Sequence, residues 1–319
     1  MTPALNALVH TLRHEADDIL SLELRPLDGP EFPAFSAGAH IDLHLPNGLV
    51  RSYSLLNDPG ERHRYVLGIL KDRASRGGSR WVHEQLHVGQ RITIGSPRNH
   101  FALHEEAAHS VLVAGGIGVT PILCMARRLK AIGRSFELLY FARSRRSAAF
   151  LDELQALGMP LHLHFDDECG GPPALRALLA ERLGRSGVHA YACGPAVMLD
   201  AFEKDCAALG CADVHVERFT AAEVAAATDA RDQYTVELRR SGQVLTVQPG
   251  QSLLAALKAV PVRLDTSCEE GVCGSCETRV LAGTPDHRDS VLSASEKAAN
   301  QVMMVCVSGC RSERLVLDL

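Results

Sequence analysis

The chain has 319 residues, of which 46% are hydrophobic, and a formal net charge of -5 at pH 7. This length and composition predict two or three soluble domains with buried cores of their own, and the lack of a secretory signal predicts a cytoplasmic location. No basic block is interleaved with aromatic residues, which excludes a nucleic-acid partner, and the longest uncharged run, Ser110 to Ala126, is interrupted by glycines and Pro121, which excludes a membrane span.

Residues 1–104 are predicted to form a β-rich, barrel-like domain. Alternating apolar and polar residues predict a strand at His40–Leu45, and Leu49–Leu55 continues in extended structure. Asn47-Gly48 lies between these strands and favours the positive φ angles of a tight type I′ turn, so a hairpin is expected. Another strand is predicted at Tyr65–Leu70.

A glycine pair, Gly77-Gly78, precedes a predicted helix at Arg80–Leu86. Free N–H groups at the start of a helix bind anions, so this pair is a candidate phosphate site. Taken alone, the pair is more often just a tight loop capped by Ser79, and the segment Arg51–Ser54 also fits an ordinary edge strand.

Residues 105–219 are predicted to form an α/β domain that binds a dinucleotide. Ser110–Ala114 is a short apolar strand, Gly115–Pro121 is a glycine-rich turn, and Ile122–Ala131 has helical spacing. This order is typical of a site where pyrophosphate lies at the helix N-terminus. The turn departs from the G-x-G-x-x-G spacing, so the generic fingerprint does not apply.

Further strands of this domain are predicted at Phe136–Phe141, Leu161–Phe165 and His189–Cys193. Helical or turn segments separate them, which indicates a parallel sheet covered by helices. Cys193-Gly194-Pro195 ends the last of these strands at the carboxyl edge, where such sheets bind ligands.

The remainder of the chain is predicted to be an alanine-rich linker, residues 220–232, and a compact α+β domain, residues 233–319. Strands are expected at Tyr234–Leu238 and Val244–Val247, and a serine-capped helix at Ser252–Ala259.

Four cysteines of the last domain have the spacing of an iron-sulfur site. Cys268, Cys273 and Cys276 form a C-x4-C-x2-C run, and Cys306 follows at a distance. This is the spacing with which plant-type ferredoxins hold a 2Fe-2S cluster. Gly271 and Gly274 are expected to let the loop wrap closely around the cluster.

Other interpretations of the cysteines fit less well. Structural zinc sites favour C-x2-C pairs or Cys/His sets, and disulfides are not expected in a reducing compartment without a secretory signal. Buried apolar packing is the expectation for the remaining six, which are Cys124, Cys169, Cys193, Cys206, Cys211 and Cys310.

Three signatures occur in this chain in a fixed order: Arg51-Ser-Tyr-Ser54 with Gly77-Gly-Ser79, Gly115-Gly-Ile-Gly-Val-Thr-Pro121 with Cys193-Gly-Pro195, and the cysteine set. Together they resemble the phthalate dioxygenase reductase family, within the wider ferredoxin-NADP reductase superfamily. The resemblance covers essentially the whole chain and extends to Asp286–Asp289 and Met304–Ser308. It implies an antiparallel β-barrel flavin domain, an α/β parallel-sheet nucleotide domain and an α+β β-grasp ferredoxin domain.

The resemblance also implies roles for residues of the flavin domain. In the flavin-holding strand, which includes Ser52, Arg51 matches the arginine near the phosphate, Tyr53 the tyrosine along the ribityl chain and ring, and Ser54 the serine near flavin N5. The phosphate loop corresponds to Gly77, Gly78 and Ser79.

In the nucleotide domain, the resemblance implies that Cys193 and Gly194 lie beside the nicotinamide. The segment Glu217-Arg-Phe219 matches a family signature in which the aromatic residue, here Phe219, lies near the isoalloxazine, although a core phenylalanine is the commoner interpretation. No residue is expected to act as a catalytic acid or base. The pyrophosphate loop corresponds to Gly115, Gly116, Gly118 and Thr120.

The resemblance implies FMN as the flavin and NADH as the electron donor, with FAD and NADPH as the alternatives. The residues themselves leave the donor open. Arg143-Ser-Arg-Arg146 follows the second strand without an acidic residue, a setting that suits the 2′-phosphate of NADPH.

These signatures predict an electron-transfer oxidoreductase, the reductase component of a multicomponent oxygenase, whose partner is a terminal oxygenase with a Rieske centre and non-haem iron. One alternative is a reductase for a cytochrome P450 or a soluble ferredoxin. A second is a non-catalytic iron-sulfur carrier or redox sensor, against which the intact nucleotide and flavin signatures argue.

Overall fold

The structure is a computed structural model that describes residues 4–73, 76–220 and 229–319. The chain forms two compact units, one ending at Glu217 and the other beginning at Arg218. Most of the predicted linker, residues 221–228, lies outside the described residues. The predicted domain boundaries at 104/105 and 219/220 stay predictions.

The first unit begins with a six-stranded antiparallel sheet in the order β4-β3-β6-β1-β2-β5. A bridge between Leu55 and Leu67 joins the two edge strands and closes the sheet toward a barrel, as predicted. Helix α1, Gly78–Gln85, follows the fifth strand. The strands are β1 Leu5–Ala16, β2 Ile19–Pro26, β3 His40–His44, β4 Val50–Ser54, β5 Tyr65–Leu70 and β6 Arg91–Ile94.

The predicted hairpin between β3 and β4 is confirmed, but its predicted turn type is wrong. Gly48 has a φ of +82°, whereas Asn47 is not among the residues with positive φ. The Gly48 N–H donates to the Leu45 carbonyl over 2.9 Å. Pro46 fixes its own φ near about -65°, which favours an ordinary turn followed by a left-handed glycine over the type I′ turn.

The same unit continues with a five-stranded parallel sheet in the order β11-β10-β7-β8-β9, as predicted for this region. The strands are β7 His109–Gly115, β8 Phe136–Ala142, β9 Leu161–Phe165, β10 Val188–Cys193 and β11 Asp213–Glu217. The helices are α2 Val119–Ala131, α3 Leu151–Ala156, α4 Asp166–Cys169, α5 Leu175–Ala180 and α6 Ala196–Ala208. Short 3-10 turns occupy Gly116–Gly118 and Arg145–Ser147.

The two sheets of the first unit share one core. Ile19, Leu56 and Phe101 from the antiparallel part pack with buried residues of α2. Gly68 in β5 makes this contact possible: a Cβ placed there would lie 2.5 Å from Thr120 Cγ2 of α2. The close approach fixes α2, and with it the glycine turn, against the antiparallel sheet.

The second unit has a mixed five-stranded sheet in the order β13-β12-β18-β14-β16, in which the central pair β12–β18 is parallel. Ser252 caps α7, because its hydroxyl accepts a hydrogen bond of 3.1 Å from the Ala255 N–H. This is the predicted β-grasp arrangement. The elements are β12 Tyr234–Leu238, β13 Gln243–Val247, α7 Leu253–Lys258, β14 Glu277–Ala282, β15 Pro285–Asp286, α8 Ala294–Ala299, β16 Val302–Met304, β17 Gly309–Cys310 and β18 Arg314–Leu317.

In the described part of the chain, no helix combines the length and the apolar character that crossing a bilayer requires.

Candidate functional site

An anion-binding cradle is built where β4 meets the start of α1. Gly77 adopts a left-handed conformation with φ +98°, and α1 begins at Gly78. A Cβ on Gly78 would lie 2.7 Å from Nε of Arg51, so the arginine lies directly against the start of the helix. A guanidinium beside the free N–H groups of a first helical turn suits a phosphate, so this part of the site fits the phosphate of a flavin nucleotide.

The neighbouring side chains support the strand and the loop. The Ser52 hydroxyl donates to Asp42 over 2.7 Å, and the same carboxylate pairs with Arg98 at 2.9 Å. The Ser79 hydroxyl accepts a hydrogen bond of 3.2 Å from the Asp72 N–H, which ties the glycine loop to the end of β5. Burial raises the pKa of Tyr53 to about 12, so its hydroxyl stays protonated.

A second part of the site lies where three strands end. Cys193 at the end of β10 and Glu217 at the end of β11 are partners in the parallel register. The Ser54 hydroxyl, at the end of β4, donates to Glu217 Oε2 over 3.4 Å, and Cys193 Sγ lies 4.0 Å from the same oxygen. The predicted flavin N5 residue and the predicted nicotinamide residue therefore meet at one carboxyl group.

The acidic groups at this meeting point stay protonated. Desolvation by burial raises the pKa of Glu217 to about 8, although the hydrogen bond from Ser54 opposes the shift. Burial, followed by the nearby Glu217, raises the pKa of the Cys193 thiol well above its ordinary value. Glu217 keeps part of its surface accessible. At neutral pH the site therefore presents uncharged hydrogen-bonding groups.

Glu217 is a candidate functional residue that sequence reasoning did not identify. It appeared there only as the first residue of the segment that contains Phe219. The signal that could have found it is its position in a strand of the parallel sheet, but β11 itself was not predicted.

The glycine turn packs backbone to backbone against the end of β10. A Cβ on Gly118 would lie 2.2 Å from the Cys193 carbonyl oxygen, and one on Gly194 would lie 2.9 Å from the Gly115 Cα. Gly116 has a φ of +52°, in the left-handed region. Because these glycines have no side chains, the two loops predicted to hold the pyrophosphate and the nicotinamide can lie directly against each other.

Thr120 has a different place from the rest of the predicted pyrophosphate loop. Its side chain is buried, and its hydroxyl donates to the Ile117 carbonyl over 3.0 Å. The structure therefore shows Thr120 closing the turn and packing against β5, while its predicted contact with the nucleotide stays a prediction.

In the second unit, the four predicted cluster ligands are buried and lie as two thiol pairs. A hydrogen bond from Cys268 lowers the pKa of Cys273 to about 5, and the pKa of Cys268 is raised correspondingly. Cys276 and Cys306 share a second hydrogen bond, which lowers the pKa of Cys306 and raises that of Cys276. The Glu270 N–H also donates to Cys268 Sγ over 3.3 Å. Two pairs of sulfur ligands suit the two irons of a 2Fe-2S cluster, so the donor set fits this group.

Asp289 supports the cluster loop from outside the ligand set. Gly271 has a φ of +70°, and a Cβ there would lie 3.1 Å from the Asp289 Cα. The Asp289 carboxylate accepts hydrogen bonds from the N–H groups of Val291 (3.1 Å) and Leu292 (2.8 Å). Burial alone would raise the pKa of Asp289, but the His287 ring, with Nδ1 3.8 Å from Oδ1, and the two backbone N–H donors outweigh burial and lower it. Sequence reasoning identified Asp289 only as part of a segment shared with the family.

Two other expectations are settled by exposure. Phe219 is 39% exposed, so the core interpretation of this residue is wrong. Cys169 is exposed and Cys211 is half-buried, so buried packing is correct for the other four cysteines only. Cys169 follows three acidic residues in the short helix α4, where no apolar partner surrounds it among the described core residues.

The arginines after β8 are engaged with carboxylates. Arg145 pairs with Glu168 at 3.0 Å and lies 4.4 Å from the centre of the Phe165 ring. Arg146 pairs with Asp17 at 3.2 Å. These contacts bear on the choice between NADH and NADPH.

Comparison with known proteins agrees with this geometry. Residues 236–311 match the family described as 2Fe-2S iron-sulfur cluster binding domain. The chain is 50% identical to phenoxybenzoate dioxygenase subunit beta of Ectopseudomonas oleovorans, over 98% of this chain and 96% of that protein.

Two solved structures are also similar. Phthalate dioxygenase reductase, described as a modular structure for electron transfer from pyridine nucleotides to a 2Fe-2S centre, is 38% identical over 99% of this chain and 98% of that one, with a TM-score of 0.72. An intact type IV self-sufficient cytochrome P450 monooxygenase is 40% identical, with a TM-score of 0.91. The match covers 99% of this chain but only 41% of the P450 protein.

A closed antiparallel sheet with a phosphate cradle, a parallel nucleotide sheet and a buried set of four cysteine ligands define an iron-sulfur flavoprotein oxidoreductase. The chain belongs to the phthalate dioxygenase reductase family. The predicted fold class and the predicted cofactor classes, a flavin, a nicotinamide nucleotide and a 2Fe-2S cluster, are thereby confirmed.

Proposed function

We propose that this protein takes electrons from NADH through FMN to its 2Fe-2S cluster and passes them to a separate terminal oxygenase with a Rieske centre. The observation that carries the proposal is the meeting of Ser54 and Cys193 at Glu217. Hydride transfer requires the nicotinamide to lie against flavin N5, and the residues expected beside these two atoms come from different sheets to one point.

The proposed role of the protein is to position the cofactors and to tune their redox properties. Arg51 and the start of α1 hold the flavin phosphate, Ser54 orients the N5 edge, and the turn at Gly115–Gly118 receives the pyrophosphate. The uncharged centre around Glu217 excludes a fixed negative charge from the place where hydride arrives. Four cysteines hold the cluster: Cys268, Cys273, Cys276 and Cys306. The other proposed cofactor contacts are Ser52, Tyr53, Gly77, Gly78, Ser79, Thr120, Gly194 and Phe219.

NADH is proposed over NADPH because the resemblance implies it, and two of the three arginines after β8 are already paired with carboxylates. Arg145 and Arg146 are paired with Glu168 and Asp17, so binding a 2′-phosphate would compete with existing ion pairs. FMN is proposed over FAD because the resemblance implies it. Stopped-flow reduction with each nicotinamide nucleotide and chromatography of the released flavin test both choices.

The oxygenase partner is supported by the relatives and by redox potentials. Phenoxybenzoate dioxygenase and phthalate dioxygenase reductase are named for oxygenase systems. Plant-type clusters have potentials near about -400 mV, whereas Rieske centres lie between about -150 and +300 mV, so transfer between them is downhill.

A cytochrome P450 acceptor is the second candidate, because the similar P450 monooxygenase contains a region that matches nearly all of this chain. Parallel assays with a purified Rieske oxygenase component, a P450 and a plant-type ferredoxin compare the acceptors at equal concentration. Faster reduction of the P450 or the ferredoxin would contradict the Rieske assignment without affecting the earlier steps.

The decisive experiment for those earlier steps is an anaerobic NADH titration of the purified protein. We expect bleaching of the flavin absorbance, a rhombic EPR signal from the reduced 2Fe-2S centre, and FMN in the supernatant after denaturation. Flavin bleaching without the cluster signal would show that electrons stop at the flavin and would refute the proposed path.

A further inference from the structure

Three histidines come together on the first unit, and none of them is among the residues proposed to contact the cofactors. His189 lies in β10, His215 lies in β11, and His104 lies in the segment between the two sheets. One nitrogen of each ring lies within 4.8 Å of the others. His189 Nδ1 and His215 Nε2 are 3.1 Å apart, and their rings are nearly parallel, with an interplanar angle of 5°.

The surroundings hold these rings in place. Tyr191 stacks on His215 with ring centres 4.5 Å apart, and its hydroxyl accepts a hydrogen bond of 2.9 Å from the backbone N–H of His104. Asp213 Oδ2 lies 3.9 Å from His189 Nε2, the nitrogen opposite the one that faces His215. In metal sites, a carboxylate near the ring nitrogen that does not bind the metal commonly orients the imidazole ligand.

The cluster has the spacing of a ligand set. The 3.1 Å between His189 Nδ1 and His215 Nε2 is close to the separation of two nitrogens that each lie about 2.0–2.1 Å from one zinc ion. The 3.1 Å contact between His189 and His215 involves one nitrogen of each ring. The centre of the His104 ring lies 5.0 Å from the centre of each of these two rings. An ion between the three nitrogens would use all three lone pairs at once.

We propose that His104, His189 and His215 form a site for a divalent late transition-metal ion, with Zn²⁺ as the physiological occupant. Three imidazole nitrogens suit Zn²⁺ and bind Cu²⁺ more tightly, while a hard ion such as Mg²⁺ prefers oxygen ligands. His104 is exposed, so the site is reached from solvent and keeps a coordination position for water.

The ion would tie the segment between the two sheets to the edge strand of the parallel sheet. His189, Tyr191 and Cys193 alternate along β10 and share one face, as do His215 and Glu217 along β11. The site therefore lies on the face of the sheet that carries the Cys193–Glu217 pair, about 7 Å from Glu217 along β11 at the usual strand rise. We expect Zn²⁺ to raise the thermal midpoint of the first unit.

The test is calorimetric titration of the oxidised, flavin- and cluster-loaded protein with ZnCl₂. We expect one equivalent to bind, with cluster absorbance unchanged. His104→Gln and His189→Gln should each weaken binding by about 100-fold or more, and Asp213→Asn by about tenfold, since outer partners typically contribute about 10- to 100-fold. His63→Gln, at an exposed histidine elsewhere on the unit, and Cys211→Ser should bind as the wild type does.

Cu²⁺ EPR gives an independent measurement, because the oxidised cluster and oxidised flavin give no signal. One equivalent of Cu²⁺ should show nitrogen hyperfine structure from imidazole ligands, and His189→Gln should reduce it. The EPR spectrum of a variant is compared with that of the wild type only when the variant retains its flavin and cluster absorbance. If no variant retains both, the presence or absence of imidazole nitrogen hyperfine structure in the wild-type spectrum decides the test. Absence of stoichiometric Zn²⁺ binding, a spectrum without imidazole nitrogen, or undiminished binding in the double variant H104Q/H189Q would each overturn the proposal.

Discussion

The cluster loop and the centre around Glu217 differ in how they shift the pKa values of their acidic groups. In the cluster loop, hydrogen bonding within each thiol pair lowers the pKa of one member, Cys273 to about 5 and Cys306 below its ordinary value, and raises that of its partner. At the other centre, burial raises the pKa of Glu217 to about 8 and that of Cys193 well above its ordinary value. The first region is built to hold negative charge and the second to remain neutral.

The difference follows from what surrounds each group. In each thiol pair one sulfur donates a hydrogen bond to the other, which favours the ionised form of the acceptor and prepares that sulfur to bind iron. Glu217 has the Ser54 hydroxyl as its hydrogen-bond donor in a poorly solvated place, which favours the protonated form. A ligand to a cationic cluster and a neighbour of an incoming hydride need these opposite properties.

The largest expected effect is that of Cys276→Ser, which removes one ligand of the second thiol pair. We expect complete loss of the cluster absorbance and EPR signal, while NADH still reduces the flavin. Cys310→Ser is the matched control, because Cys310 is equally buried in the same unit but donates to the Ser312 carbonyl. Loss of flavin reduction in Cys276→Ser would show that the two regions are not separable.

Arg51→Ala separates the charged phosphate end of the flavin site from its neutral end. We expect flavin retention to weaken about 10- to 100-fold, since a charge-assisted hydrogen bond contributes about 1.5–3 kcal/mol. The rate of hydride transfer at saturating flavin should change little. Dilution followed by fluorescence of the free flavin measures retention. Arg80→Ala, at an exposed position of α1, is the control, and equal loss in both variants would contradict a specific contact.

The pH dependence of flavin reduction tests the neutral centre itself. Glu217 is protonated below its pKa of about 8 and ionises as the pH rises through that value. Hydride brings negative charge onto the flavin, so the ionised carboxylate should slow reduction, by about tenfold between about pH 7 and 9.5. Glu217→Gln should keep a flat profile in this range by stopped flow. The same decline in the variant would assign the pH effect to another group.

The smallest effect is expected from Gly118→Ala, which presses a methyl group against the Cys193 carbonyl oxygen. Overpacking of this kind costs about 1–3 kcal/mol and should lower the thermal midpoint of the first unit by several degrees. A raised KM for NADH should accompany the shift. Gly184→Ala is the control, because a Cβ at Gly184 has open space. An unchanged midpoint in both variants would show that the turn can move away from β10.

The cluster site could be predicted from the sequence because its organisation is local. Cys268, Cys273 and Cys276 lie within one loop, and their spacing is set by the shape of the cluster they surround. The glycine turn and the strand at Cys193 were also predicted, since a short apolar run followed by glycines has a direct physical meaning. The strands β5, β9 and β12 were predicted with their observed bounds.

The rest depends on residues that are distant in the chain. Ser54 and Glu217 are 163 positions apart, and only the sheet order brings them together. The three histidines have no spacing that distinguishes them from the other histidines of the chain. The strands β1 and β6 were not singled out because their polar residues obscure the alternation, and their pairing partners supply what the local pattern lacks.

The contact at Gly68 has a consequence for protein engineering. Thr120 and Phe150 of the nucleotide-binding part occupy the space that a side chain at position 68 would need. A chimera that exchanges residues 1–104 with those of a relative would have to match this contact, or else repack the shared core. A crossover between Glu217 and Arg218 leaves this contact and the core around it intact, because both belong to the unit that ends at Glu217.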